Sequence, residues 1–243
     1  MLITSVNNDR VKELVKLKDK KYRDRNGIFF VEGEDVVFEA YKNSLIKELY
    51  VLDGIDVDMK VPVTYVSVDV MKKISDMESI SEYYAVCYKK KECNIGNRLV
   101  ILDNIQDPGN MGTILRTADS LNMKQIIVSP GTADCYNSKV VRSTMGAIFR
   151  VNVIERDLEK VIKEMQKREI KIYATDLKTN KTIYDVDYEK SAVIIGNEAN
   201  GVSKNVLELA DERIKIPMPG KTESLNAAVA TGVILYEINR KSL

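Results

Sequence analysis

The hydrophobic and polar positions of the chain follow two alternating periods. Short apolar runs predict strands at GIFFVEG, IKELYVLDG and VTYVSVD, and later at RLVILDN (98–104), KQIIVSP, KIYATDL and SAVIIGN. Apolar residues three and four positions apart predict helices at EDVVFEAYKN, NMGTILRTADSLN (110–122) and RDLEKVIKEMQKRE. Strands that alternate with helices predict an α/β protein with a mostly parallel sheet that is covered on both faces.

The organisation changes at KKKECNIGN, residues 89–97. The part before it has the pattern of a compact α/β module, and the part after it has the pattern of a larger one. A chain of 243 residues is long enough for two cores. We therefore predict one domain at residues 1–95 and a second at residues 98–243.

The formal net charge is only +1, but the first 25 residues carry an excess of basic side chains. The apolar spacing of Val11, Leu14 and Leu17 predicts a basic N-terminal helix within residues 1–25. Such a helix is either an ordinary solvated surface or a site that binds a phosphate backbone, and the sequence leaves both open.

Composition excludes several classes of protein. No apolar run approaches the roughly 20 residues of a membrane helix, and no signal peptide is evident, so we expect a cytoplasmic protein that does not enter a membrane. The chain has no histidine, which removes Ser-His-Asp and Cys-His catalysis and predicts no metal site. Cys87, Cys93 and Cys135 show no CxxC spacing and are expected to be reduced, inert thiols.

Ligands of parallel sheets bind beyond the carboxyl ends of the strands, and three loops are candidates. Residues 103–119 contain Asn110 and Arg116, residues 196–203 contain Glu198, and residues 216–237 open with IPMPGKTES. Each also has a structural explanation: a surface salt bridge for Arg116, a helix cap at Ser203, and tight helix packing for the alanines after residue 226.

The PGKT sequence of the third loop is not a phosphate-binding loop, because Lys215 stands where the pattern needs glycine and two prolines remove amide donors. The loop instead places Thr222, Ser224 and Asn226 at a predicted helix start. Their spacing predicts that Ser224 shares a helix face with Ala227 and Ala228. No G-x-G-x-x-G follows any strand, so a dinucleotide site lacks its fingerprint.

Together the loops carry N-x-G-x-x-x-R-x-A from residue 110, G-N-E-x-x-G from residue 196 and I-P-M-x-G-x-x-x-S-L-N from residue 216. In this order and at these distances, they resemble the three motifs of the SpoU-type RNA 2'-O-ribose methyltransferases, which are TrmH-like members of the SPOUT superfamily. The resemblance covers residues 98–243.

The resemblance implies a parallel-sheet domain with a trefoil knot, preceded by a small α/β, ribosomal-protein-L30e-like domain that binds the RNA substrate. It implies S-adenosylmethionine as cofactor and a homodimer formed through the catalytic domain, with the active site completed across the interface. The extra domain favours 23S ribosomal RNA as the partner. DNA is excluded, because only RNA has the 2'-hydroxyl.

By motif position, the implied cofactor contacts are Gly196, Ile216, Leu225, Met218, Asn226, Ala227 and Thr175. The implied base is Arg116, in a site held by Asn110, Glu198, Ser224 and Asn226. A guanidinium is a poor base at neutral pH, so Arg116 either loses its proton only when desolvated or holds the adjacent phosphate and lowers the pKa of the hydroxyl.

Three alternatives remain open at this point. They are a tRNA 2'-O-methyltransferase, a catalytically silent RNA-binding member of the same fold, and a conventional nucleotide- or dinucleotide-binding enzyme. Binding of S-adenosylmethionine, but not of ATP or NAD, separates the last of these from the others.

Overall fold

The computed structural model describes residues 1–240. Contacts divide the chain into two compact units. Unit 1 contains Met1–Lys91 and Asp134–Arg150, and unit 2 contains Glu92–Ala133 and the chain from Val151 onward. We call Asp134–Arg150 the return segment, because with it the chain goes back to unit 1. The sequence patterns did not predict this return.

The strands are β1 (Leu2–Ile3), β2 (Ile28–Glu32), β3 (Ile46–Leu52), β4 (Val63–Val66), β5 (Tyr83–Tyr88), β6 (Arg98–Leu102), β7 (Gln125–Val128), β8 (Asn152–Glu155), β9 (Lys171–Thr175), β10 (Ser191–Ile195) and β11 (Glu212–Ile214). The helices are α1 (Asp9–Lys16), α2 (Lys20–Asn26), α3 (Glu34–Lys42), α4 (Val68–Ile74), α5 (Pro108–Ser120), α6 (Ser138–Ser143), α7 (Leu158–Lys167), α8 (Lys204–Leu209) and α9 (Ala227–Asn239). A 3-10 helix covers Ala147–Phe149.

Unit 1 is built on a mixed five-stranded sheet in the order β1-β4-β3-β5-β2. The first three strands are parallel to one another, and β5 runs antiparallel to both β3 and β2. The strands and the helix predicted for this half are present as β2, β3, β4 and α3. The core is apolar and includes Phe30 stacked on Tyr84, with ring centroids 5.1 Å apart.

The predicted N-terminal helix within residues 1–25 is wrong in one respect, because the chain forms two short helices there, α1 and α2. The side chain of Asp19 accepts from the amide of Tyr22 and so starts a second helix. Arg23 of α2 is buried and donates to the carbonyls of Leu17 and Lys18, which ties the second helix to the end of the first.

Ion pairs also neutralise much of the basic charge at this end of the chain. Five further basic side chains pair with carboxylates of unit 1: Arg10 with Glu48, Lys12 with Asp9, Lys16 with Glu13, Lys18 with Asp76, and Lys20 with Asp24. Lys21 and Arg25 are exposed and have no side-chain partner among the described residues. The basic surface is therefore smaller than the sequence suggests.

Unit 2 is built on a six-stranded sheet in the order β11-β9-β10-β6-β7-β8, in which every pairing is parallel. The predicted parallel α/β architecture is confirmed. Because the strands run in one direction, β6, β10 and β11 all end at the same edge of the sheet, and the three motif loops leave from that edge. Helices α5 and α9, which follow the first and third loops, pack against each other.

Candidate active site at the carboxyl edge of the parallel sheet

The first loop leads from β6 into α5 and places Asn110 in the first turn of the helix. The side chain of Asp107 caps α5 by accepting from the amide of Asn110, at 2.7 Å. Pro108 occupies the first helical position, where no amide donor is needed. These local features fix the start of α5, so the side chain of Asn110 stands at the sheet edge.

The second loop, after β10, is closed tightly on itself. The backbones of Asn197 and Gly201 exchange two hydrogen bonds, at 2.9 and 3.0 Å. A Cβ atom on Gly196 would lie 2.0 Å from the Gly201 carbonyl carbon and from the Val202 nitrogen. Only glycine fits there, which gives this motif position a steric reason independent of any ligand.

Two polar side chains that the sequence did not single out fasten the second loop to the first. The carboxylate of Asp103, which is buried, accepts from the amide of Ser203 at 2.7 Å. The side-chain amide of Asn197 donates to the carbonyl of Asn104 at 2.9 Å. Asp103 and Asn104 directly follow a buried strand, so a polar residue at the carboxyl end of a strand was the signal available in the sequence.

The third loop has no regular secondary structure between Ile216 and Asn226. The Asn226 side chain accepts from the amides of Ala228 and Val229, which starts α9 at Ala227. Ser224 therefore precedes the helix, and the prediction that it shares a helix face with Ala227 and Ala228 is wrong. Ser224 and Thr222 are exposed and make no hydrogen bond to another described residue.

One hydrogen-bonded chain connects the three loops. The side-chain amide of Asn226 donates to Oδ1 of Asn110 at 2.9 Å, and the side-chain amide of Asn110 donates to Oε1 of Glu198 at 2.5 Å. We call Glu198, Asn110 and Asn226 the relay. The packing of α5 against α9 explains it, because both helices begin at the sheet edge and bring their first residues together.

The structure does not bring the other predicted catalytic residues into the relay. Arg116 lies on α5, and its exposed side chain has no hydrogen bond or ion pair with the described part of the chain. Ser224 stands in the third loop without a partner. The role of Arg116 as a base stays a prediction.

The predicted cofactor residues surround a stretch of backbone that is open to a ligand. Between Ile216 and Leu225, no backbone N–H or C=O takes part in a hydrogen bond with another described residue. Ile216, Met218 and Leu225 are half-buried and Ala227 is buried, while the hydroxyl of Thr175 donates to the carbonyl of Ile194 at 3.1 Å. Free backbone donors and acceptors beside apolar side chains suit a flat, heteroatom-rich ring such as adenine.

The next features to consider are the thiols, metal-binding groups and membrane spans of the described residues. Burial raises the pKa of the Cys135 thiol to about 12 and also raises the pKa of Cys87, so neither is a ready nucleophile. Cys93 is exposed and accepts a hydrogen bond from Gln125. Residues 1–240 contain no metal-binding group of three or more carboxylate or thiol side chains. Within the same range, no helix combines the length and apolar character that a membrane span needs.

A concave surface of about 700 Å³ lies at a different place on unit 2. It is lined by Tyr184, Gly232, Val233, Tyr236 and Arg240, among others, and no residue of the first two loops or of the stretch from Ile216 to Asn226 contributes to it. Tyr184 and Tyr236 are 62% and 57% exposed, which is unusual for large aromatic side chains. This surface is therefore a candidate for contact with another molecule rather than for the chemistry.

The parallel sheet, with three motif loops tied together at its carboxyl edge, has the arrangement that the sequence motifs predict for an RNA methylase. A model of the SpoU rRNA Methylase family matches residues 97–236, and a model of the MRM3-like substrate binding domain matches residues 8–85. The chain belongs to the SpoU rRNA methylase family, and the family and fold class predicted from the sequence are confirmed.

Individual relatives match nearly the whole chain. The 23S rRNA (guanosine(2553)-2'-O)-methyltransferase RlmP of Bacillus subtilis (strain 168) is 33% identical over 243 residues, covering 97% of this chain and 98% of the relative. A solved AdoMet-bound rRNA methyltransferase from Sinorhizobium meliloti has a TM-score of 0.88 and 29% identity, covering 100% of this chain and 98% of that one. The AdoMet complex of the SpoU methyltransferase AviRb from Streptomyces viridochromogenes has a TM-score of 0.86 and 26% identity, with 97% and 98% covered.

Proposed function

We propose that this protein transfers a methyl group from S-adenosylmethionine to a ribose 2'-hydroxyl of 23S ribosomal RNA. The observation that carries this proposal is the relay, in which one residue from each motif is joined by direct hydrogen bonds at the carboxyl edge of the sheet. The substrate class is supported by a relative named as a 23S rRNA 2'-O-methyltransferase that matches this chain over nearly its full length.

The residues that hold the cofactor are Gly196, Ile216, Met218, Leu225, Asn226, Ala227 and Thr175. The cofactor supplies an activated methyl group on a sulfonium. The third loop binds the adenosine part through its free backbone groups, and Gly196 allows the second loop to close beside it. Holding both reactants in line can contribute about 7 to 11 kcal/mol to catalysis.

The residues that act on the RNA are Arg116, Asn110, Glu198, Ser224 and Asn226. Arg116 is exposed and unpaired, so its guanidinium is free to bind a phosphate beside the target ribose. Asn110 and Asn226 keep Glu198 at a fixed place through the relay. The hydroxyl of Ser224 is free to bind substrate.

Unit 1 binds the RNA in this proposal, as the sequence implies for residues 1–95. The match of residues 8–85 to a substrate binding domain supports it, and so do the unpaired side chains of Lys21 and Arg25 on α2. We further propose the L30e-like relationship for this unit and a trefoil knot in unit 2. The knot is supported by the match of residues 97–236 to the SpoU rRNA Methylase family.

The protein acts as a homodimer through unit 2. The exposed aromatic surface at Tyr184 and Tyr236 supports this, because monomeric proteins rarely expose such side chains together. The face of α9 that carries Val229, Val233 and Tyr236 gives a partner copy an apolar stripe.

The experiment that tests the function is transfer of labelled methyl from S-adenosylmethionine to total RNA from a host that lacks the gene. The RNA is fractionated by size, and Arg116→Ala serves as the comparison variant. We expect label in large ribosomal RNA, resistant to alkali at one linkage and lost with Arg116→Ala.

Other outcomes separate the alternatives. Label in tRNA keeps the chemistry and overturns the substrate. Absence of label in every fraction, with cofactor binding intact by calorimetry, favours a catalytically silent RNA-binding protein.

A further inference from the structure

The relay has a fixed hydrogen-bond direction. Oδ1 of Asn226 must accept, because the amides of Ala228 and Val229 point at it. Its side-chain amide therefore donates to Asn110, whose own amide must then donate to Glu198. Each side-chain amide has one oxygen, which accepts, and one nitrogen, which donates. The cap of α9 therefore fixes the donor of each hydrogen bond in the relay, and Glu198 is the final acceptor.

The direction also decides what the relay offers to a substrate. The Asn226 oxygen already accepts two hydrogen bonds, and the side-chain amides of Asn110 and Asn226 each have one N–H left to give. Glu198 is exposed, and its second oxygen, Oε2, has no hydrogen-bond partner among the described residues. The relay therefore presents two donors and a single negatively charged acceptor.

We propose that Glu198, rather than Arg116, accepts the proton of the ribose 2'-hydroxyl. This inference rests on the proposed function and assigns the one step that it leaves open. Arg116 has no acceptor atom while it is charged, and the chain has no histidine. Of the other carboxylates in the first loop, Asp103 is buried and already accepts from the amide of Ser203, and Asp107 already accepts from the backbone amide of Asn110 as the cap of α5.

The step balances without a further reactant. The hydroxyl oxygen forms a bond to the methyl carbon, the bond from that carbon to sulfur breaks, and the sulfur keeps the electron pair. S-adenosylhomocysteine leaves uncharged, and the hydroxyl proton passes to the carboxylate of Glu198. As the new bond forms, the hydroxyl becomes strongly acidic, so a weak base such as a carboxylate is sufficient.

The test is single-turnover methyl transfer from S-adenosylmethionine to ribosomal RNA from a host without the gene, using Glu198→Gln. Glutamine keeps an oxygen that can accept from Asn110, so a role limited to holding the site survives the change. It cannot take a proton. We expect a rate loss of about 100-fold or more, with cofactor binding and thermal midpoint unchanged. Glu198→Asp, which keeps the carboxylate, should restore at least about a tenth of the wild-type rate.

The pH profile gives an independent readout. If the base is a carboxylate, the wild-type rate should be flat between about pH 6 and 9, because carboxylates in general ionise below that range. A guanidinium base would make the rate rise about tenfold per pH unit across the same range, since a guanidinium is almost fully protonated there. Either that rise or a Glu198→Gln rate within about threefold of wild type overturns the assignment. If the wild-type protein transfers no methyl to any RNA, the proposed function itself fails, and this inference fails with it.

Discussion

Asn226 shows how one side chain can set both a fold and a site. Its oxygen caps α9, and its nitrogen starts the relay that ends on Glu198. A serine or an aspartate caps a helix equally well, but neither can also donate an N–H to Asn110. The side-chain amide is therefore required by the bond to Asn110 and not by the helix cap.

A substitution of the single residue Gly196 gives a prediction about the stability of the protein. In Gly196→Ala, the new Cβ would fall 2.0 Å from backbone atoms of residues 201 and 202, and backbone cannot yield as a flexible side chain can. We expect a loss at the upper end of the about 1 to 3 kcal/mol typical of overpacking, measured by urea denaturation followed by circular dichroism.

Gly220→Ala is the matched control, because a Cβ at Gly220 meets nothing within 4 Å. It should leave the transition midpoint unchanged. Equal midpoints for the two variants would show that the second loop adapts and that the close approach at Gly196 is not a constraint.

The secondary structure elements were predictable wherever a local pattern decides them. Apolar runs located β2, β6, β7, β9 and β10, because a buried strand needs little beyond its own side chains. The end of α1 was missed, because a single capping residue, Asp19, outweighs the helical spacing around it. The return segment was missed for another reason: its helical sequence does not show which sheet it will pack on.

The candidate site, too, was predictable only in part. The three loops were predictable, because strand ends and motif spacing are both written in the sequence. The direction of the relay was not, because it depends on α5 packing against α9. Asp103 was missed because its place after a strand does not show which group it binds, and its partner is a backbone amide 100 positions away.

The return segment carries an ion pair that should stabilise unit 1. Glu32 at the end of β2 is buried and accepts from Arg142 of α6 at 2.7 Å, while the Arg142 side chain is 33% exposed. Arg142→Met leaves a buried carboxylate without its cation. We expect a loss of about 2 to 3 kcal/mol, below the 3 to 5 of a fully buried pair.

Urea denaturation of the full chain measures this loss, with Lys139→Met on the exposed side of the same helix as control. Adding Glu32→Gln to Arg142→Met should recover part of it, because the uncompensated charge is removed. An Arg142→Met protein as stable as Lys139→Met would mean that water compensates the charge of Glu32.

At the scale of the whole molecule, the candidate site and the proposed dimer interface lie at different parts of α9. Its capping residue, Asn226, belongs to the relay, its buried face packs in unit 2, and its remaining face shows Val229, Val233 and Tyr236. A helix that is apolar on nearly all sides is expected where a second molecule covers the outer face. The dimer proposal therefore follows from the same element that positions the active site.

Tyr236→Asp tests that proposal. An aspartate at the centre of an apolar interface would be buried without a partner. The free energy that this costs exceeds the free energy that the apolar contact contributes. We expect the wild-type protein to elute as a dimer and Tyr236→Asp as a monomer in size-exclusion chromatography with light scattering. Tyr88→Asp, which changes an exposed tyrosine of unit 1 in the same way, should remain a dimer.

Activity gives the second readout. If the partner copy completes the active site, the specific activity of Tyr236→Asp should be low and should rise with protein concentration as the dimer re-forms, while its thermal midpoint stays within a few degrees of that of Tyr88→Asp. A wild-type protein that is monomeric and active at every concentration would remove the need for a partner. The aromatic surface of α9 would then have to bind something other than a second copy of this chain.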